Sequence, residues 1–165
     1  MKTGLLSKIH NRADFDCGND RLNAYLKQTA LQHIEKEPAK TNVPVDEQYG
    51  NSIPGFYTLP AHTVSPSHFP YTVSKKYPKS GTVPVILLGR LAISSEYQNK
   101  GLGKRLLAYV MKESLIVNGI IGGLALYVEA KDTAVTYYKK IGFLPVPENN
   151  LHLYLPFSTI RKSLV

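Results

Sequence analysis

Hydrophobic and polar positions in the first part of the chain predict a strand, a helix and a pair of strands. Residues 4–10 can form a short strand, and residues 16–19 offer capping groups for a helix that ends before Pro38. The apolar face of this helix consists of Leu22, Tyr25, Leu26 and Ala30. Apolar and polar side chains alternate over residues 41–45, and a polar turn separates them from the apolar run at 53–59, so the two runs predict a β-hairpin.

The rest of the chain alternates between apolar runs and amphipathic segments. Residues 60–84 are rich in proline, serine and lysine and predict a long irregular loop. Then we expect a buried strand, a helix, a buried strand, a short helix and a final strand, at residues 83–93, 101–117, 121–129, 132–140 and 151–155. Gly142 ends the short helix, and a terminal helix follows near Ser158. The order β-α-β-β-β-α-β-α-β predicts an α/β fold.

A glycine-punctuated loop joins the strand that ends at Ile93 to the helix that follows it. Gly101 and Gly103 allow backbone conformations and close approaches that a side chain would block. The start of the helix presents free N–H groups and the positive end of a dipole, so the loop predicts a site for a pyrophosphate. Such loops also occur where two backbones merely pack closely, and that interpretation stays open. The Rossmann and P-loop glycine motifs are absent from the sequence.

Length and composition predict one globular domain over residues 1–165. Hydrophobic residues make up 43% of the chain and charged residues 19%. The longest apolar stretch, 115–128, contains Asn118 and three glycines, and the N-terminus lacks a signal-peptide apolar region. We therefore expect a cytoplasmic protein that does not enter a membrane. Cys17 is the only cysteine, and the histidines lack metal-ligand spacing, so we expect no bound metal.

The formal net charge of +8 favours an anionic partner. Coenzyme A and nucleic acid both fit, and a merely solvated basic surface is an alternative, because charge alone does not choose between them. Small basic clusters are spread along the chain. One of them, Lys75, Lys76 and Lys79, is a candidate for phosphate contacts with RNA.

Several motifs resemble those of one enzyme family. The pattern Gln98-x-x-Gly101-x-Gly103 resembles the [QR]-x-x-G-x-[GA] motif of GCN5-related N-acetyltransferases (GNATs), whose loop amides bind the pyrophosphate of acetyl-coenzyme A (acetyl-CoA). Five stretches look like those of the acetyltransferase toxins of type II toxin–antitoxin systems, in the same order: residues 15–18, 55–59, 88–92, 128–130 and 137–143. The resemblance implies the GNAT fold, a mixed central β-sheet flanked by helices. It also implies an enzyme that acetylates the α-amino group of aminoacyl-tRNA and blocks translation, a ribbon-helix-helix antitoxin as partner, and a homodimer.

The resemblance also implies which residues bind the two substrates. Backbone groups at the strand end face the pantetheine arm and the thioester, and the loop holds the diphosphate. The donor-binding residues are then Leu91, Ala92, Ile93, Gln98, Asn99, Lys100, Gly101, Leu102, Gly103 and Lys104. Arg90 resembles a family arginine near the acceptor and is the candidate contact with the tRNA end, although a plain surface arginine fits equally well. The segment 132–134 is one residue shorter than in relatives, so Asp132 is not assigned to coenzyme A.

Tyr138 is the candidate general acid. The α-amine of an aminoacyl ester titrates below about pH 8 and is largely neutral at physiological pH, so a strong base is dispensable. If the reaction does use a general base, Glu129 is the candidate. A tyrosine hydroxyl stays protonated near pH 7 and can hydrogen-bond to the departing sulfur or protonate it, a role that the resemblance implies. Tyr137 and Tyr138 could instead only pack their helix against the sheet.

Other functions of the same chain remain open at this stage. One is a GNAT enzyme that acetylates a small-molecule or protein amine. Another is a non-catalytic module that binds coenzyme A or a different anion. The first alternative predicts acetyl transfer without tRNA, and the second predicts binding without turnover.

Overall fold

The computed structural model describes residues 1–164. The strands are β1 (Thr3–Leu5), β2 (Thr41–Pro44), β3 (Gly55–Thr58), β4 (Ala61–Val64), β5 (Val83–Leu87), β6 (Arg90–Ile93), β7 (Ala125–Glu129), β8 (Leu144–Val146) and β9 (Asn149–Pro156). The helices are α1 (Asp20–Ala24), α2 (Ala30–Lys36), α3 (Tyr71–Ser74), α4 (Leu102–Ile121), α5 (Asp132–Ile141) and α6 (Phe157–Ser163). A π-helical turn, Tyr25–Thr29, joins α1 to α2.

The chain divides into two compact units. Unit 1 contains residues 1–60 and 89–110, and unit 2 contains residues 61–88 and those from 111 onward. The sheet of unit 1 has the order β1-β2-β3-β6, and every neighbouring pair in it is antiparallel. Its buried core cluster includes Leu26, Ala30, Phe56 and Ala92. The predicted apolar helix face and the β2–β3 hairpin are thereby confirmed.

The helical segment that consists of α1, the π-helical turn and α2 begins and ends where the sequence predicts. The Asn19 side chain accepts a hydrogen bond from the Leu22 N–H at 3.1 Å, which caps α1. The run ends at Lys36, ahead of Pro38. The π-helical turn in its middle was not predicted, because hydrophobic spacing does not separate a single π turn from a regular α-helix.

Unit 2 is built on a mixed sheet with the order β4-β5-β7-β9-β8. Strands β5 and β7 are parallel, and the other neighbouring pairs are antiparallel. Val83, Tyr127 and Tyr154 are buried in its core cluster. Helix α5 stops at Gly142, which has a φ of 121° and donates its N–H to the Lys139 carbonyl, so the predicted glycine stop is confirmed. The α/β architecture is also confirmed.

Residues 60–84 are more ordered than predicted. Strand β4 pairs with β5, and α3 follows after a 3-10 turn. The prediction of an irregular loop was wrong because β4 is only four residues long and lies among prolines, which hide its alternating exposed and inward-facing side chains.

The strand predicted over residues 83–93 is two strands in different sheets. Strand β5 belongs to unit 2 and β6 to unit 1. At the break, the Leu88 N–H donates to the Tyr127 carbonyl, and the Gly89 N–H donates to the Thr58 carbonyl. A continuous apolar run hides such a change of partner, because periodicity reports burial and not which strand lies alongside.

Helix α4 also runs further than predicted, to Ile121, so β7 begins at Ala125 and not at residue 121. Gly122 and Gly123, with φ values of 79° and 137°, turn the chain between α4 and β7. The short strand β8 was missed because it is three residues long. Within residues 1–164, no helix combines the length and apolar character needed to cross a membrane.

Candidate active site

Strand β6 lies at the edge of the four-stranded sheet of unit 1, beside β3. The Ser94 N–H donates to the Pro54 carbonyl at 2.9 Å, so the backbone of Ser94 points toward the β3 side. Alternate residues of a strand point the same way, and the backbone groups of Ala92 therefore also face β3. Those of Leu91 and Ile93 face the open edge of this sheet. The Ile93 carbonyl accepts a hydrogen bond from Gln98 there, so both backbone groups of Leu91 and the N–H of Ile93 are left for an extended ligand.

Gly55 on β3 allows the two strands to pair closely. A Cβ atom at Gly55 would lie 2.6 Å from the Ala92 carbonyl oxygen and 2.9 Å from the Ile93 Cδ1 atom. Any side chain there would push β6 away from β3. The glycine that opens the 55–59 stretch is therefore required by the position of the edge strand.

The loop after β6 uses left-handed backbone conformations. Asn99 has a φ of 59° and Gly101 a φ of 81°, values that asparagine and glycine adopt at the least cost. The first bond of α4 runs from the Arg105 N–H to the Gly101 carbonyl at 3.1 Å. The N–H groups of residues 102–104 precede that bond and have no carbonyl partner within the helix. A Cβ at Gly101 would meet nothing within 4 Å, so the protein leaves open space beside these donors. This arrangement fits a pyrophosphate.

The Gln98 side chain fixes the start of this loop. Its Nε2 donates to the Ile93 carbonyl at 2.8 Å and to the Cys17 carbonyl at 2.9 Å. The Ser95 N–H donates to the Asp16 carbonyl at 2.8 Å. Gln98 therefore connects the end of β6 and the loop to the segment at residues 15–18. The two hydrogen bonds from its amide nitrogen give this side chain a structural role.

The segment at residues 15–18 is itself held by its carboxylate. Asp16 accepts hydrogen bonds from the Gly18 N–H and from Asn23 Nδ2, both at 2.9 Å. The bond from Gly18, and then that from Asn23, lower the pKa of Asp16 from its ordinary value. These contacts give a physical reason for the Asp-x-Gly spacing in the sequence.

Arg90 lies over the ring of Tyr25. The guanidinium carbon is 3.6 Å from the ring centroid, which is a cation–π contact. The Tyr25 ring is buried and stacks against Phe56 with a centroid distance of 6.2 Å, and its hydroxyl lies 3.2 Å from His33 Nδ1. No carboxylate among residues 1–164 pairs with Arg90. An aromatic ring therefore holds Arg90 in place and leaves its charge unneutralised.

Tyr138 lies on α5 in unit 2, and 8% of it is exposed. Its ring makes edge contacts with Phe143 at 5.2 Å and with Tyr137 at 5.5 Å. Burial, and then the neighbouring Tyr137, raise the pKa of Tyr138 to about 12. No group in the described residues 1–164 hydrogen-bonds to its hydroxyl. The hydroxyl is thus protonated at physiological pH and available to a ligand.

A second buried tyrosine of unit 2, Tyr127, was predicted only as a strand residue. Its hydroxyl lies 3.1 Å from His68 Nδ1 and 2.8 Å from His152 Nδ1. One hydroxyl carries one proton, so at least one of the two histidines donates its Nδ1–H to the Tyr127 oxygen. Burial, and then Glu129, raise the pKa of Tyr127 to about 12.

Nowhere in residues 1–164 do three or more His, Cys, Asp or Glu side chains form a group suited to a metal ion.

Comparison with known proteins places the chain in a family. A family model for the acetyltransferase (GNAT) domain matches residues 83–164. A Mycobacterium tuberculosis protein named tRNA-acetylating toxin is 30% identical over 157 residues, which cover 94% of this chain and 92% of that protein. The chain belongs to the GNAT acetyltransferase family. A Sinorhizobium fredii protein named "Probable toxin TacT" is 26% identical over 160 residues, covering 92% of this chain and 88% of that protein.

Solved structures of GNAT toxins are similar over almost the whole chain. The toxin AtaT in complex with acetyl-methionyl-tRNAfMet has a TM-score of 0.89 and 27% identity, with 99% of each chain covered. A tyrosine-to-phenylalanine mutant of AtaT, bound to the C-terminus of the antitoxin AtaR and to acetyl-CoA, has a TM-score of 0.81 and 25% identity, with 99% of this chain and 98% of that chain covered. The GNAT fold, the N-acetyltransferase class and the resemblance to these toxins are confirmed.

The GNAT chain places most of its predicted site residues in unit 1. Arg90, the β6 residues and the loop at 98–104 follow one another there, and Tyr138 belongs to unit 2. The carboxylates of Glu96 and Glu129 are exposed. Sequence reasoning missed Tyr25 as the support of Arg90, because it predicted Tyr25 only as a core residue and no local pattern links positions so far apart in the chain.

Proposed function

We propose that this protein is an acetyl-CoA-dependent toxin that acetylates the α-amino group of aminoacyl-tRNA and thereby blocks translation. The observation that carries the proposal is an edge strand that runs into a left-handed glycine loop and an open helix N-terminus, in a GNAT chain. The tRNA-acetylating toxin of M. tuberculosis and the AtaT complex with acetyl-methionyl-tRNAfMet support aminoacyl-tRNA as the acceptor.

We assign the donor-binding roles mainly to backbone groups. Leu91 and Ile93 bind the pantetheine arm and the thioester from the open edge of β6, and the register favours them over Ala92. The N–H groups of the loop and of residues 102–104 hold the pyrophosphate. The exposed side chains of Lys100 and Lys104 add positive charge beside it. The acetyl-CoA in the AtaT mutant complex supports this donor.

The reaction needs one bond made and one broken. The neutral α-amine attacks the thioester carbonyl carbon, a C–N bond forms, the C–S bond breaks, and the amine loses its proton to water. Tyr138 donates a hydrogen bond to the sulfur as negative charge develops there. Full transfer of a proton from a group with a pKa of about 12 to a thiolate whose acid has a pKa of about 8.5 is uphill by roughly 5 kcal/mol. We therefore assign to Tyr138 the stabilisation of the leaving group, which then takes up a proton from water.

Arg90 is proposed to contact a phosphate near the 3′ end of the acceptor tRNA. Its charge is not neutralised by a carboxylate in residues 1–164, and Tyr25 fixes its position. Guanidinium groups suit phosphate because they donate two parallel hydrogen bonds. This supports an acceptor role for Arg90 over that of a plain surface arginine.

The proposal extends to the biological setting. We propose that residues 1–165 act as one domain in the cytoplasm, where charged tRNA is found. The relatives that the chain matches along nearly their whole length support one functional domain. We further propose an antitoxin as partner, which the AtaR-bound structure supports. That this antitoxin is of the ribbon-helix-helix type and that the active form is a homodimer are proposals that rest on the family resemblance.

The test uses labelled acetyl-CoA with a pool of charged tRNA, the same pool uncharged, and the variant Tyr138→Phe. We expect label on charged tRNA only, and much less of it with the variant. Sequencing of the labelled RNA then identifies the acceptor. Expression of the wild type should arrest growth, and expression of the variant should not.

Two results would contradict the proposal. Label on a small amine or a protein, with none on charged tRNA, would make this a GNAT enzyme with a different acceptor. Binding of coenzyme A without transfer to any amine would make it a non-catalytic module.

A further inference from the structure

A proline-rich segment of unit 2 carries positive charge with no acidic residue to balance it. Residues 61–84 contain Lys75, Lys76 and Lys79 and neither aspartate nor glutamate. None of these lysines pairs with a carboxylate among residues 1–164. The prolines of the segment restrict its backbone, so a ligand that binds there has less disorder to remove.

The short helix α3 divides this segment into an anchored face and an exposed face. Val73 and Tyr77 pack against the core cluster of unit 2. Tyr71 points the other way and is 77% exposed. The Lys75 N–H donates to the Tyr71 carbonyl at 2.9 Å, so Lys75 follows Tyr71 by one helical turn on the same face. The fold does not need a large aromatic ring at Tyr71.

These residues border a cleft of about 410 Å³. We call it the tyrosine–lysine cleft, and its lining includes Ser65, Ser67, Tyr71, Lys75, Tyr77 and Lys79. Its size lies within the usual range of small-ligand pockets. It offers an aromatic face, two ammonium groups and the hydroxyls of Ser65, Ser67 and Ser74, which is the combination that binds a nucleotide through its base, its phosphates and its ribose.

We propose that the tyrosine–lysine cleft binds an unpaired nucleotide of the acceptor RNA, a role that rests on the proposed function. The base stacks on Tyr71, and the flanking phosphates contact Lys75 and Lys79. A base within a duplex is already stacked on its neighbours and cannot reach the ring, so the cleft selects a single-stranded segment. The cleft thereby distinguishes RNA with free ends or loops from plain duplex RNA.

The test measures the KM for charged tRNA, together with binding of a short labelled single-stranded oligoribonucleotide and of the same strand in a duplex. Tyr71→Ala should raise the KM and weaken single-strand binding by about fivefold or more, because stacking on an aromatic ring contributes at least that much. Tyr71→Phe should behave like the wild type, and Tyr71→Leu like Tyr71→Ala. The KM for acetyl-CoA should not change in any of them.

The charge contribution has its own matched control. A plot of log affinity for the single strand against log salt concentration should be less steep for the double variant Lys75→Ala/Lys79→Ala. The magnitude of its slope should fall by roughly 1.4, which corresponds to two phosphate contacts. Lys36→Ala/Lys112→Ala removes the same charge from exposed positions elsewhere and should leave the slope unchanged. Melting temperatures of all variants should match the wild type, because the altered side chains are exposed.

The outcomes separate this inference from the proposed function. If the wild type acetylates charged tRNA but Tyr71→Ala keeps its KM and its oligonucleotide affinity, the cleft is not an RNA site. The same conclusion follows if an acidic peptide binds the cleft and the oligonucleotide does not. If charged tRNA is not acetylated at all, the proposed function fails, and the oligonucleotide measurement alone decides the cleft.

Discussion

At the residue scale, removal of the Tyr138 hydroxyl tests a catalytic role of this residue while the packing of its ring stays the same. Tyr138→Phe keeps the ring contacts with Phe143 and loses no hydrogen bond within residues 1–164. We expect kcat to fall by about 100-fold or more, the loss typical when one hydrogen-bond donor to developing charge is removed, with both KM values and the melting temperature nearly unchanged. Steady-state kinetics and thermal unfolding check this. A variant that keeps most of its kcat would reduce Tyr138 to a packing residue.

The raised pKa of Tyr138 also predicts the shape of the pH profile. With a pKa of about 12, the hydroxyl stays protonated throughout the neutral and mildly alkaline range. The kcat/KM for charged tRNA should therefore rise as the acceptor amine loses its proton and then stay level up to about pH 10. The measurement is an initial-rate series corrected for hydrolysis of the aminoacyl ester. A fall in rate centred below pH 10 would mean that the reaction depends on another titrating group or that the site lowers the pKa of Tyr138.

The contact between Arg90 and Tyr25 predicts a coupled effect on the acceptor. Tyr25→Leu removes the aromatic face and should raise the KM for charged tRNA by roughly two- to thirtyfold, the range of cation–π energies. Arg90→Ala should do the same, and the double variant should be no worse than Arg90→Ala. Tyr25→Phe keeps the ring and serves as the control for loss of the hydroxyl contact with His33. Additive effects of the two changes would show that Tyr25 acts through core packing and not through Arg90.

The residue scale also shows where sequence reasoning reaches its limit. Arg90 and the loop glycines were predicted because a local motif carries them. The contact of Tyr25 with Arg90 and the hydrogen bonds between Tyr127 and the two histidines, His68 and His152, were not predicted, because they join positions that are close only after folding. The register of β6 likewise favours Leu91 and Ile93 over Ala92, which the motif could not do.

At the scale of elements, the ends of α4 provide a matched pair of glycines. Gly101 precedes the helix with a φ of 81°, Gly122 follows it with a φ of 79°, and a Cβ at either would meet nothing within 4 Å. Alanine should therefore cost similar stability at both, about 1–2 kcal/mol. Only Gly101→Ala should raise the KM for acetyl-CoA, by about tenfold, since its Cβ enters the space where we place the pyrophosphate. Equal KM values in the two variants would remove the pyrophosphate from this loop.

The sequence predicts the boundary of an element correctly where a few adjacent side chains determine it. The capped start of α1, the glycine stop of α5 and the loop before α4 were predicted well, because each rests on a few adjacent side chains. The break between β5 and β6, the strand β4 and the π-helical turn were missed. Each of these is set by which element lies alongside, and hydrophobic spacing does not report that.

At the scale of the whole molecule, the fold class came from the order of elements, and the family came from spaced motifs along the chain. Composition supplied only the sign of the partner's charge. A net charge of +8 fits coenzyme A and tRNA alike, so it does not by itself choose an acceptor. The two anions differ, however, in how many phosphates they bring to the protein surface, and that difference can be measured.

Salt should therefore affect the two substrates unequally. Each phosphate of a nucleic acid that the protein neutralises releases counterions and steepens the dependence on salt, with a log–log slope of roughly 0.7 to 0.9 per contact. If at least two phosphates of tRNA are contacted, its KM should rise by about tenfold between 50 and 200 mM salt, while the KM for acetyl-CoA, whose pyrophosphate we propose to lie on backbone amides, rises much less. The measurement is a pair of KM series at fixed pH with a non-coordinating salt. Equal slopes would mean that the basic residues form only a solvated surface and do not contact the phosphates of tRNA.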